Sequence, residues 1–206
     1  MSDVDVAFAV RALRAGGVVV YPTETVYGLG VDACSALAVD SLLALKGRDA
    51  AKGISVLVVD LSKARALLAT EPPDEACALA AAFWPGALTI VLPAAPDVVA
   101  ALRGPGGGVG LRCSSDPIAR ELLAEFGAPI TSTSANPSGS LPAVSVEQAQ
   151  SYFGARVAAY VDGGTRRDTS VSTVVEFSQG RAYLRRAGII DIDALRAVTE
   201  IEARRV

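Results

Sequence analysis

Val6, Val10 and Leu13 recur at helical spacing and Gly16-Gly17 closes the pattern, after which residues 18–21 form a short β-branched run suited to a buried strand. The following segment, 22–30, carries one Pro and two Gly that break regular structure, together with two threonines, a carboxylate and a tyrosine. A second helix is predicted over about 37–46, capped by Ser35, and a strand over 55–59. Val39, Leu42 and Leu43 mark that helix's core-facing stripe. The same spacing places Lys46 next in line, a cation where an apolar residue is expected.

Further helices are predicted over 74–83, from Asp116-Pro117 with Ile118, Leu122 and Phe126 as the buried stripe, and from about Asp191. Strands are predicted over 88–92 and 109–112, at Ile130, and over 157–161, 174–177 and 182–184. The Gly-rich stretch 104–108 fits neither a P-loop nor a dinucleotide fingerprint and reads as a flexible connection. Helices and short strands alternate without a break in composition. The expectation is one layered α/β (alpha+beta) domain over 1–206, with helices packed on a twisted mixed sheet.

Composition narrows the chemistry more than the fold. The 206 residues are 51% hydrophobic and 20% charged, which suits a single folded core and excludes disordered and fibrous classes. No histidine is present, so Ser-His-Asp triads, Cys-His dyads and His-ligated zinc are excluded. A formal charge of -3 argues against a surface that coats polyanions but permits a local basic pocket. Cys34, Cys77 and Cys113 lack metal or disulfide spacing and read as buried thiols of a reducing compartment. With neither a leader pattern nor a membrane-length apolar run, the expected location is cytoplasmic.

Two stretches and two arginines carry candidate chemistry. In the first stretch Lys46, Arg48 and Lys52 surround a glycine turn, which suits an anion such as phosphate or carboxylate; the alternative is a cation at the helix C-terminus with solvated neighbours. In the second, residues 131–140 hold six hydroxyls and an amide directly after a strand, and an extended backbone would turn Ser132, Ser134 and Asn136 to one side. Its alternative is a polar turn. On strand 109–112 Gly110 and Arg112 share a face opposite Val109 and Leu111, leaving room beside the guanidinium. Arg186 alternates in phase with Ala182 and Leu184, so it extends an apolar face, and either arginine could instead be a structural ion-pair partner.

Taken in order, Tyr21 to Gly30, Lys46-Gly-Arg48 with Lys52-Gly53, Ser132 to Gly139, Asp162-Gly-Gly164, Ser172-Thr-Val-Val175 and Arg185 to Ile189 resemble the YrdC family of threonylcarbamoyl-AMP synthases. Its core signature, Lys-x-Arg followed much later by Ser-x-Asn, is met by Lys46, Arg48, Ser134 and Asn136. The resemblance implies a YrdC-like fold and a reaction of L-threonine, bicarbonate and ATP that yields L-threonylcarbamoyl-adenylate and pyrophosphate, for threonylcarbamoyl-adenosine in tRNA. Mg²⁺ would ride on the ATP phosphates. By carry-over, Thr25, Arg112, Ser134 and Ser172 would contact threonine or its carbamate, and Lys46 the junction of the substrates. Arg48, Lys52, Ser132, Asn136, Val144 and Arg186 would contact the nucleotide. The family pattern also admits tRNA or double-stranded RNA and a transferase complex as partners, and two alternative functions: a non-catalytic RNA-binding module, or a paralogue making another carbamoyl-adenylate.

Overall fold

The computed structural model describes residues 3–47, 53–167 and 171–203. Six helices, α1 (Asp3–Arg14), α2 (Ala36–Lys46), α3 (Asp74–Phe83), α4 (Pro117–Phe126), α5 (Val146–Phe153) and α6 (Ile192–Arg196), surround a mixed sheet. Its strands are β1 (Val19–Tyr21), β2 (Gly28–Gly30), β3 (Ser55–Leu57), β4 (Leu88–Pro93), β5 (Gly108–Arg112), β6 (Ile130–Ser134), β7 (Ala159–Tyr160), β8 (Thr173–Ser178), β9 (Arg181–Arg186) and β10 (Glu202–Ala203). The strand order is β10-β9-β8-β4-β5-β3-β6-β2-β1-β7. No helix among the described residues is long and apolar enough to cross a membrane.

The helices arise where the apolar spacing predicts them. Ser35 caps α2 by accepting from the Ala38 N–H, and Gly47 ends it in the left-handed conformation at φ 59°. Asp116 caps α4 through the N–H groups of Ile118 and Ala119, at 2.9 and 3.2 Å. Val6, Val10 and Leu13 of α1 share one buried cluster with Ile118 and Leu122 of α4, against β1, β7 and the Leu57 side of β3. A larger cluster, built around Leu29, Val39, Leu42, Val56, Ile90 and Leu111, carries α2 and α3.

Four expectations change. Residues 22–30 do not only break structure, because β2 forms within them. Tyr21 lies under β2: a Cβ on Gly30 would stand 2.8 Å from Tyr21 Cε1, and one on Gly28 3.0 Å from its Cζ. Glycine is therefore what lets the ring fit, while its hydroxyl donates to the Thr131 carbonyl at 2.9 Å. Burial pushes that phenol's pKa up, so it stays protonated and remains a donor.

Second, the 104–108 stretch is a closed turn, with Gly104 N–H donating to the Gly108 carbonyl at 2.8 Å and Gly107 N–H to that of Gly104 at 2.9 Å. Gly53, at φ +60°, abuts this turn so closely that a Cβ there would stand 2.9 Å from Gly104 Cα. Third, a register shift between Val174 and Val175 pairs Val174 with Arg186 but Val175 with Leu184, leaving Arg185 as the extra residue. Ala182 joins the core while Arg186 is carried to the opposite face, so the simple alternation fails there. Finally, Cys34 and Cys77 are exposed, and only Cys113 is a buried thiol.

Gly30→Ala should destabilise the fold by about 1–3 kcal/mol, the usual cost of forcing an extra methyl group into a packed site. Urea denaturation reads this as a lowered midpoint, and an unchanged midpoint would contradict the ring-under-glycine packing.

Candidate active site

A cleft of about 320 Å³ opens on one face of the sheet and crosses six strands. In spatial order its wall is Val174 of β8, Thr89 and Val91 of β4, Gly110 and Arg112 of β5, Ser55 of β3, Ser132 and Ser134 of β6, and Gly28 of β2. Glycine keeps the floor low: a Cβ on Gly110 would meet Ser55 Oγ at 3.1 Å and Thr89 Cγ2 at 3.3 Å. Thr23, Thr25, Ser172 and Arg186 complete the rim.

Arg112 lies at the bottom with 7% of its surface exposed. Its Nη2 donates to Thr25 Oγ1 at 3.2 Å and pairs with Glu24 Oε1 at 2.9 Å, while its Nε–H is buried without a hydrogen-bond partner. Glu24 is held from behind, because Ser114 Oγ donates to its Oε2 at 2.5 Å. At the cleft's other side Arg186 Nη2 donates to Ser172 Oγ and to the Ser172 carbonyl, both at 2.8 Å. Ser172 Oγ also meets Thr89 Oγ1 at 2.9 Å. Hydroxyls thus surround two guanidinium groups, an arrangement that binds carboxylate or phosphate with directional donors.

A second network shapes the wall without lining it. Lys46 is in the buried stripe of α2, as its spacing predicts, with 3% exposure. Its Nζ donates to the carbonyls of Ser134 at 2.5 Å and Asn136 at 2.7 Å, pinning the end of β6. Asn136 does not continue the row of Ser132 and Ser134. The chain turns there, Asn136 N–H donating to the Ser134 carbonyl at 3.0 Å, and the Asn136 amide donates to the carbonyls of Pro137 and Ser140 at 2.9 and 2.8 Å. Asn136 is thus part of a polar turn, whereas Ser132 and Ser134 line the cleft.

Of the residues expected to meet ligand, Thr25, Arg112, Ser132, Ser134, Ser172 and Arg186 come together in the cleft. Lys46, Asn136 and Val144 stand outside its lining, and Arg48 and Lys52 lie outside the described residues. Thr23 and Thr89 were not anticipated; a lone hydroxyl inside the apolar strand Leu-Thr-Ile-Val-Leu is the signal that marks Thr89. Nearby, Tyr27 secures the Asp162-Gly-Gly164 turn, accepting from the Gly163 N–H at 2.9 Å and donating to the Gly164 carbonyl at 2.8 Å. Arg166 closes the turn against Asp116 at 2.8 Å.

A mixed sheet with helices packed on it and a polar, arginine-floored cleft across its central strands places the chain among α/β proteins. The chain belongs to the Sua5/YciO/YrdC family, whose profile, described as "Telomere recombination", matches residues 11–188. The threonylcarbamoyl-AMP synthase of Halorhodospira halophila is 40% identical over 184 residues, covering 88% of this chain and 94% of that protein. Among solved structures, P. abyssi Sua5 complexed with L-threonine superposes with a TM-score of 0.90 at 31% identity, covering 98% of this chain. The chain spans 60% of that protein's length. E. coli YciO superposes with a TM-score of 0.80 at 25% identity, covering 92% of both chains.

Lys46→Ala would leave two carbonyls without their charged donor, and should cost about 1.5–3 kcal/mol of stability, the range for a hydrogen bond to a charged group. Chemical denaturation checks it; wild-type stability in the variant would mean that the ammonium does not hold the end of β6.

Proposed function

We propose that this chain is an L-threonylcarbamoyl-adenylate synthase, acting in the cytoplasm to supply the carbamoyl group for threonylcarbamoyl-adenosine in tRNA. The observation that carries the reading is the buried Arg112 guanidinium at the floor of a cleft ringed by Thr25, Ser132, Ser134 and Ser172. The naming of its relatives agrees with it.

The chemistry asks little of protein acid–base groups. Threonine's amine and bicarbonate condense to a carbamate with loss of water. A carbamate oxygen attacks the α-phosphorus of ATP, the bond to the bridging oxygen breaks, and pyrophosphate leaves. The substrates supply both nucleophile and leaving group, so catalysis rests on positioning and charge. ATP enters as its magnesium complex, with the ion on phosphate oxygens and water.

In this reading Arg112 takes the threonine carboxylate, and Thr25, Ser134 and Ser172 surround the amine and carbamate. Ser132 and Arg186 face the nucleotide. Arg48 and Lys52 carry phosphate charge, with Val144 toward the edge of the nucleotide. Lys46 stabilises charge near the junction of the substrates and Asn136 orients carbamate and phosphate, and both also hold the turn on which Ser134 stands. Product release to a tRNA-modifying transferase completes the proposal.

Pyrophosphate release from ATP should require both threonine and bicarbonate when each is omitted in turn. Release without threonine would overturn the reading. Arg48→Ala should slow release by about 10²-fold, the typical loss for one charge-stabilising donor. Arg112→Ala should chiefly raise the KM for threonine, and an unchanged threonine KM would remove its assigned role.

A further inference from the structure

Glu24 does not line the cleft but pairs with Arg112, which does. Its side chain is 17% exposed, and both carboxylate oxygens are engaged, Oε1 with Arg112 Nη2 at 2.9 Å and Oε2 with Ser114 Oγ at 2.5 Å. Ser114 Oγ in turn accepts the Asp116 N–H at 3.2 Å, which ties Glu24 to the capped start of α4. A carboxylate held by Ser114 through one oxygen presents the other to the guanidinium as a fixed counter-ion.

The effect reaches Thr25 through the direction of its hydrogen bonds. Thr23 Oγ1 donates its one proton to the Val26 carbonyl at 2.6 Å. In the 3.0 Å contact between the two hydroxyls, Thr25 must therefore be the donor. Thr25 Oγ1 then accepts from Arg112 Nη2, the same nitrogen that is ion-paired with Glu24 Oε1. The chain runs one way, from Arg112 to Thr25, Thr23 and the Val26 carbonyl, and leaves Thr25 with lone-pair density to offer a ligand.

We propose, resting on the threonylcarbamoyl-adenylate reading, that Glu24 is a positioning residue for the amino-acid subsite. It fixes the pose of Arg112 and, through it, the hydrogen bond that Thr25 accepts, without touching substrate. Without Glu24, Arg112 loses its buried counter-ion and the contact that holds it toward both Thr25 and a ligand carboxylate. The nucleotide side, around Arg186 and Ser132, does not share this network and should not respond.

The test measures separate KM values for threonine and ATP in pyrophosphate release by the full chain. Glu24→Ala should raise the threonine KM by about tenfold or more, the scale of loss when a reacting group is displaced, and leave the ATP KM unchanged. Glu24→Gln, which keeps an acceptor for Arg112, should recover most of that loss. Ser114→Ala, which removes only the second anchor, should raise the threonine KM by a smaller factor and provides the same readout if Glu24→Ala fails to fold. A threonine KM within twofold of wild type in Glu24→Ala, equal rises in both KM values, or a Glu24→Gln variant as impaired as Glu24→Ala would overturn the role. Wild-type turnover that ignores threonine would instead overturn the functional reading itself.

Discussion

A guanidinium near the middle of a ten-stranded sheet, with 7% of its surface exposed, must be compensated where it stands. Arg112 meets that requirement with one carboxylate and one hydroxyl on a single nitrogen, leaving the remainder of the group beside the cleft. Much of the neighbourhood follows from this. Gly110 is bare because a side chain there would crowd Ser55 and Thr89. Thr25 is oriented by the arginine and by Thr23, and Ser114 holds the counter-ion. The strands on either side bring neutral hydroxyls to the cleft beside it, so Glu24 is the carboxylate paired with this charge.

The same face depends on a second buried cation. Lys46 ends α2 inside the protein, and its bonds to the carbonyls of Ser134 and Asn136 fix where β6 stops and the turn begins. Two cations therefore divide the work, one lining the cleft and one holding backbone. Chemistry that needs no protein nucleophile fits such an arrangement, and it fits a chain without histidine.

Local pattern carried the fold where local pattern decides it. Capped helices such as 117–126 follow from Asp116, Pro117 and the spacing of Ile118 and Leu122. It failed where structure depends on a distant partner. The strand at 28–30 exists because Tyr21 lies beneath two glycines, which reads as a break in one dimension. Arg186 changes face through an extra residue in a hairpin, and strict alternation cannot register that shift.

For the site, spacing placed Lys46 in the buried stripe and Gly110 beside Arg112, and both positions hold. Asn136 departs because its amide finds acceptors four residues or fewer ahead, in its own turn. The Glu24–Ser114 anchor joins residues 90 positions apart, beyond any periodic signal. A crystal structure of the chain with L-threonine bound tests the role of Arg112 most directly. The amino-acid carboxylate should lie at about 2.7–2.9 Å from the Arg112 guanidinium, the usual length of a charge-assisted bond, with Glu24 still paired. Threonine bound away from Arg112, or a cleft that leaves it empty at saturating threonine, would contradict it.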